Sequence, residues 1–247
     1  MNRLFLPFHR PTWSLVGLLV LGGCASGPIP TLTVYGTPHS FVRLETDPSL
    51  EQEAGHSHPA DISTERMASV LRGIMVEEPW TRVPFYDDMN TPHLHAALSE
   101  DEVVFLAPLL SLALQKATPE ELVTFYRSIR VSGTRREVTS GGLFINGEEL
   151  HLVLSNLRSN THYSADVGVV DTEDDRMTPM RSISPQTGKL FFLPDSANRD
   201  ARPEGISRLF YQDRRLLVVL YKTLQPGSPT RPQALSSPSA PTPSRPR

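Results

Sequence analysis

The sequence holds one cysteine, Cys24, in 247 residues, so no disulfide can form within the chain. It also has no long apolar run. About 20 consecutive apolar residues are needed for a membrane-spanning helix, and the stretch from Trp13 to Leu21 is much shorter and broken by Ser14 and Gly17. Recognisable catalytic signatures are missing too. There is no His-Glu-x-x-His, no Gly-x-Gly-x-x-Gly, no phosphate loop and no Gly-x-Ser-x-Gly or Ser-x-x-Lys context. Nor is there an excess of positive charge: the formal net charge is −3, and a nucleic-acid partner would want a basic face. What remains is a chain with 38% apolar residues, close to globular usage and long enough to bury one core without disulfides.

The N-terminus has its own organisation. Arg3 and Arg10 precede the short apolar stretch, which ends in Leu21-Gly22-Gly23-Cys24. A basic start, an apolar middle and small residues before a cleavage point make a secretory signal. The four residues ending in Cys24 resemble a lipobox, the processing site of bacterial lipoproteins. The resemblance implies removal of residues 1–23 as a lipoprotein signal peptide and acylation of Cys24, which would leave no free thiol. Several acyl chains on one residue act as a durable anchor, where a single chain is marginal. Ala25 follows, not the aspartate that marks inner-membrane retention in Gram-negative systems, so the expected location is the outer membrane, facing the periplasm. Residues 1–23 carry two of the 24 basic side chains and no acidic one, which leaves the remainder at −5.

Residues 24–31 read as a tether, residues 32–224 as the folded part and residues 225–247 as a tail. The tail has seven prolines, five serines, three arginines and no acidic or aromatic residue. Such a composition cannot bury enough apolar surface to offset ordering entropy, and it predicts disorder.

Within the folded part, helices are expected first and strands later. Thr31–Tyr35 and Ser40–Leu44 read as two early strands. Ser63 is a plausible N-cap, followed by a stripe of Met67, Val70, Leu71 and Ile74 that Glu78-Pro79 should end. Ser99-Glu100-Asp101-Glu102 is a capping box. The Val103–Leu114 segment after it, apolar on all sides, reads as a central buried helix kinked or split by Pro108. Thr118-Pro119-Glu120-Glu121 looks like a second capping box with proline at N1, opening a third helix with Leu122, Phe125, Tyr126 and Ile129 on one face.

After Val131 the period changes. Leu143–Ile145, Asn146-Gly147 and the alternating Leu150, Leu152 and Leu154 signal a hairpin with a type I′ turn. Val167–Val170, Lys189–Leu193, Ser207–Tyr211 and Leu216–Tyr221 are further strands. The expected fold is α+β, with about three helices followed by an antiparallel sheet of meanders and hairpins in a single domain. The helices should cover one face of the sheet.

Chemistry-bearing residues are sparse. Five of eight histidines lie between His39 and His95, including the pairs His56/His58 and His93/His95. Residues two apart on an extended segment point the same way, so each pair offers two imidazoles to a zinc or copper ion. Asp61, Asp87, Asp88 and Met89 are near enough in sequence to complete a shell, but no third ligand stands at a characteristic spacing. Ser140 in Thr139-Ser140-Gly141-Gly142 has no nucleophile context, and its glycines suggest a turn, a bulge or a close backbone approach. Asp171, Glu173, Asp174 and Asp175 lack the spacing of a calcium loop and read as a solvated turn.

These observations favour a non-enzymatic, lipid-anchored binding or accessory component of an envelope complex, with an envelope protein as partner and no cofactor beyond the lipid. The Pro79–Leu98 loop and the Thr139–Gly142 turn are the expected contact regions. The alternative is a metal-binding protein or envelope enzyme using the His39–His95 cluster.

Overall fold

A computed structural model describes residues 30–50, 55–79, 92–133, 135–162, 175–199 and 215–225. Cys24, the predicted strands at 167–170 and 207–211, Asp87, Asp88, Met89, most of the acidic run and nearly all of the tail lie outside these residues. Two α-helices are present among them, α1 (Thr64–Gly73) and α2 (Glu100–Lys116). The strands are β1 (Pro30–Gly36), β2 (Ser40–Thr46), β3 (Ile74–Glu77), β4 (Leu94–Ala96), β5 (Glu121–Arg130), β6 (Arg135–Asn146), β7 (Glu149–His162), β8 (Lys189–Phe192), β9 (Asn198–Arg199) and β10 (Leu216–Val219). They form an antiparallel seven-stranded sheet, β1-β2-β5-β6-β7-β10-β9, and a three-stranded sheet, β4-β3-β8. The α+β class expected from the sequence is the one observed.

Helix α1 starts as its sequence indicates, with the Ser63 hydroxyl accepting from the Arg66 amide at 3.3 Å. It ends at Gly73, short of Glu78-Pro79, because Ile74 turns into an extended conformation and opens β3. Helix α2 begins with the full capping box: Ser99 Oγ accepts from the Glu102 amide at 3.3 Å, and Glu102 Oε2 accepts from the Ser99 amide at 2.8 Å. Pro108 does not split this helix. It sits on the outward side, one turn from the exposed Val104, whose carbonyl it denies the usual i+4 amide donor. That outward side also corrects the expectation of an all-round buried helix: Val104, Pro108 and Leu112 are exposed, while Val103, Leu106, Leu110 and Leu114 enter the core.

The third helix does not exist; Leu122–Ile129 belongs to β5, in the interior of the large sheet. Half of the expected capping geometry does form. The Thr118 amide donates to Glu121 Oε2 at 2.8 Å, but the Glu121 amide closes a turn on the Thr118 carbonyl at 3.0 Å and the chain leaves extended. Tertiary burial decides the outcome, since residues 121–126 are buried on both faces of the strand.

Both faces of the large sheet are covered. Val42, Leu44, Val123, Phe125, Leu143, Ile145, Leu150, Leu152, Leu217 and Val219 pack with the two helices in one core. On the opposite face Leu122, Phe144, Val153, Leu216 and Val218 meet Met180, while Phe41, Tyr126 and Val138 meet Ile183. Burial on both faces fits the adjacent apolar residues Leu122-Val123, Phe125-Tyr126, Leu143–Ile145 and Leu152–Leu154 in β5, β6 and β7. The hairpin between β6 and β7 is one residue later than expected. Asn146 pairs with Glu149, so the loop is Gly147-Glu148, with Gly147 at φ 61° in the first central position favoured by a II′ turn.

Candidate functional site

His56 and His58 lie on an extended segment in which His56, His58, Ala60 and Ile62 point inward and Ser57, Pro59 and Asp61 point out. The segment is laid along the end of the large sheet by its own backbone. The His56 amide donates to the Pro119 carbonyl at 2.8 Å, the Ser57 amide to the Ile145 carbonyl at 2.7 Å and the Ala60 amide to the Leu114 carbonyl at 2.9 Å. The two imidazoles therefore do share a side, with ring centroids 5.5 Å apart.

Each imidazole is committed to the fold. His56 Nε2 lies 3.0 Å from Asp47 Oδ2, and its ring stacks on Phe144 at 4.2 Å. Phe144 stacks in turn on His151 at 4.7 Å, and His151 Nε2 is 3.4 Å from Glu149. His58 Nε2 accepts the Ile145 amide at 3.1 Å. Burial pushes its pKa down to about 4, with the neighbouring His56 adding to the effect and the Glu121 side opposing it. The ring is thus neutral at pH 7, and the nitrogen facing Ile145 is already occupied. Stacking and hydrogen bonding are the chemistry this arrangement performs.

His93 and His95 are elsewhere, flanking Leu94 on β4 in the small sheet. His93 Nε2 is 3.5 Å from Glu77, and His95 Nε2 is 4.0 Å from Glu78 while its Nδ1 is 3.1 Å from the Pro92 carbonyl. His39 is exposed in the turn between β1 and β2. Among the described residues no group of three or more His, Cys, Asp or Glu is placed to hold a metal ion.

The Thr139–Gly142 stretch is a correction. It is no exposed turn but the buried interior of β6, so it cannot serve as a contact region. The bulge and the close approach expected of its glycines are both present. The register shifts between Ser140 and Gly142, and a Cβ on Gly141 would stand 2.0 Å from the Val153 carbonyl oxygen. Ser140 is no free nucleophile: its hydroxyl donates to the Pro179 carbonyl at 2.7 Å and accepts from Asn156 Nδ2 at 2.9 Å.

Ser140 and Asn156 belong to an arrangement that sequence reasoning missed. Residues 175–186 form a strap across the sheet face opposite the helices. Its main-chain carbonyls are received by side chains from successive strands: Arg43 Nη2 donates to Arg176 at 3.0 Å, Ser155 Oγ to Met180 at 2.8 Å and Asn156 Nδ2 to Arg181 at 2.7 Å. Asn156 Oδ1 accepts the Ile183 amide at 2.8 Å. At one end Asp175 accepts from Tyr126 Oη at 3.1 Å and from Arg136 Nη2 at 3.0 Å. Asp175 is therefore a structural anchor, not the solvated turn expected of the acidic run. Burial and the Asp175 carboxylate raise the pKa of Tyr126, keeping it a donor. The available signal was small: polar Ser140, Ser155 and Asn156 at interior positions of apolar strands imply that irregular backbone lies over them.

Comparison of the chain with known protein families, with curated proteins and with solved structures finds no match.

Proposed function

We propose that the protein is an outer-membrane lipoprotein whose single α+β domain faces the periplasm and serves as a non-enzymatic binding or accessory component of an envelope complex. The observation that carries this reading is Leu21-Gly22-Gly23-Cys24 at the end of a short apolar stretch behind Arg3 and Arg10. Two features support it. β1 begins at Pro30, only six residues beyond Cys24, which suits a short tether. The polar groups with catalytic potential, Ser140, His56 and His58, spend their hydrogen bonds inside the fold. The proposal assigns no cofactor beyond the lipid on Cys24 and no nucleic-acid partner.

The contact region retained is the Pro79–Leu98 stretch, whose described part carries the exposed Leu94 beside His93 and His95. Anchoring confines the domain to a thin layer and raises its effective concentration near membrane-bound partners. Crosslinking in cells, followed by recovery in mild detergent, is expected to return the same envelope protein from wild type and to lose it in Cys24→Ser. Failure to recover any reproducible partner contradicts the binding role. Inhibiting the lipoprotein signal peptidase is expected to leave the precursor uncut, and normal processing under the inhibitor contradicts the anchor.

A further inference from the structure

The outward face of α2 is unusual for a surface helix. From Val104 to Leu112 every residue that is not buried is apolar: Val104, Phe105, Pro108, Leu109 and Leu112. They fall at i, i+4 and i+8 with their immediate neighbours, a continuous stripe over more than two turns. Val104 is 63% and Leu112 41% exposed. On α2 itself charge is confined to the two ends, at Glu100, Asp101 and the buried Glu102 before the stripe and at Lys116 after it; from β5 the Arg127 guanidinium lies over the Phe105 ring at 5.0 Å. A stripe of this kind on a surface calls for a cover.

The tether says what the cover is. Pro30 starts β1, and β1 runs beside α2. Near its start the Thr31 hydroxyl donates to Glu121, just past the end of α2, and near its finish the Tyr35 ring meets the Phe105 ring edge-on at 5.3 Å. Five residues lie between Cys24 and Pro30, a reach of about 20 Å from one Cα to the other when extended. A helix with its side chains is only about 10–12 Å thick. The anchor therefore holds the bilayer within reach of this helix, while the strap is on the far side of the sheet. We propose that the Val104–Leu112 face of α2 rests on the lipid surface that carries the Cys24 acyl chains, fixing which side of the domain faces the periplasm. This rests on the lipoprotein reading above. Interfacial helices bind in this manner, with apolar side chains set into the headgroup boundary.

The test uses the acylated full-length mature chain in phosphatidylethanolamine/phosphatidylglycerol vesicles. Val104→Cys, Leu112→Cys and, on the strap, Met177→Cys are each labelled with an environment-sensitive fluorophore, the acylated Cys24 being unreactive. All three positions are exposed, so the labels displace no core. The expected result is a blue-shifted emission and at least twofold quenching by a lipid-borne quencher at 104 and 112, with neither at 177. Equal quenching at all three positions, or none at 104 and 112, overturns the proposal. Shielding of 104 and 112 without lipid quenching also overturns it: a dependence on protein concentration identifies a second copy as the cover, and independence identifies another segment of the same chain. Intact mass distinguishes the two readings. An acylated protein that fails the quenching test loses only the docking, whereas a chain without acyl groups removes the anchor and the docking with it.

Discussion

At the level of residues, His58 gives the fold a defined response to acid. Its side chain is buried and its pKa falls from 6.5 to about 4, so the unfolded chain takes up a proton below pH 6.5 that the folded chain refuses until about pH 4. The stabilisation is complete above 6.5 and is lost as the pH falls toward 4, amounting to about 3 kcal/mol over that interval. Urea unfolding at pH 7.5, 5.5 and 4.5 is expected to show this loss in wild type and a flatter profile in His58→Gln. An unchanged profile in the variant would assign the acid sensitivity to other groups. Gly141 makes a second residue-level prediction. Its missing side chain lets β6 approach the Val153 carbonyl, and Gly141→Ala is expected to cost about 3 kcal/mol through overpacking against backbone that has no room to move. A change in unfolding free energy under about 0.5 kcal/mol, the range of an ordinary surface substitution, would contradict that close approach.

Among the elements, α2 and β5 show how far local signals reach. Ser99→Ala removes the hydroxyl that caps α2, and an expected cost of about 1 kcal/mol in chemical unfolding checks it. That helix was legible because its cap is local and self-contained in four residues, Ser99–Glu102. The Thr118–Glu121 signal was equally local, but the buried residues of β5 pair with β2 and β6, which lie far away in sequence. Leu122, Phe125 and Tyr126 match a helical stripe because both faces of the strand are covered there, which erases the alternation that marks a strand, whereas Ile129 completes the stripe from the exposed end of β5. The strap was illegible for a related reason: it has no period, and the bonds to its main chain come from Arg43, Ser140, Ser155 and Asn156 on three strands. Asn156→Ala removes the donor to the Arg181 carbonyl and the acceptor of the Ile183 amide, and is expected to cost about 2–3 kcal/mol. It should also speed tryptic cleavage after Arg181; equal cleavage rates would show that Asn156 does not hold the strap down.

For the whole molecule, the two faces of the large sheet are unlike each other. One carries α1 and α2, with an apolar stripe outermost; the other carries a strap bound through side-chain donors. The histidine groups suspected of joining in one site are distributed between the ends of two sheets, His56 and His58 beside the β6–β7 hairpin and His93 and His95 around β4. The N-terminal processing signal we propose is legible in sequence alone, because a signal of that kind is read in an extended chain and does not depend on the fold. Cys24, the sole cysteine, is thus the residue on which the account turns. The most direct measurement is the intact mass of the mature protein extracted from membranes, with its N-terminal peptide. The expected result is a chain beginning at Cys24 and carrying acyl groups on that residue, absent from Cys24→Ser; a mature chain that begins elsewhere, or an unmodified Cys24, would contradict the lipid anchor.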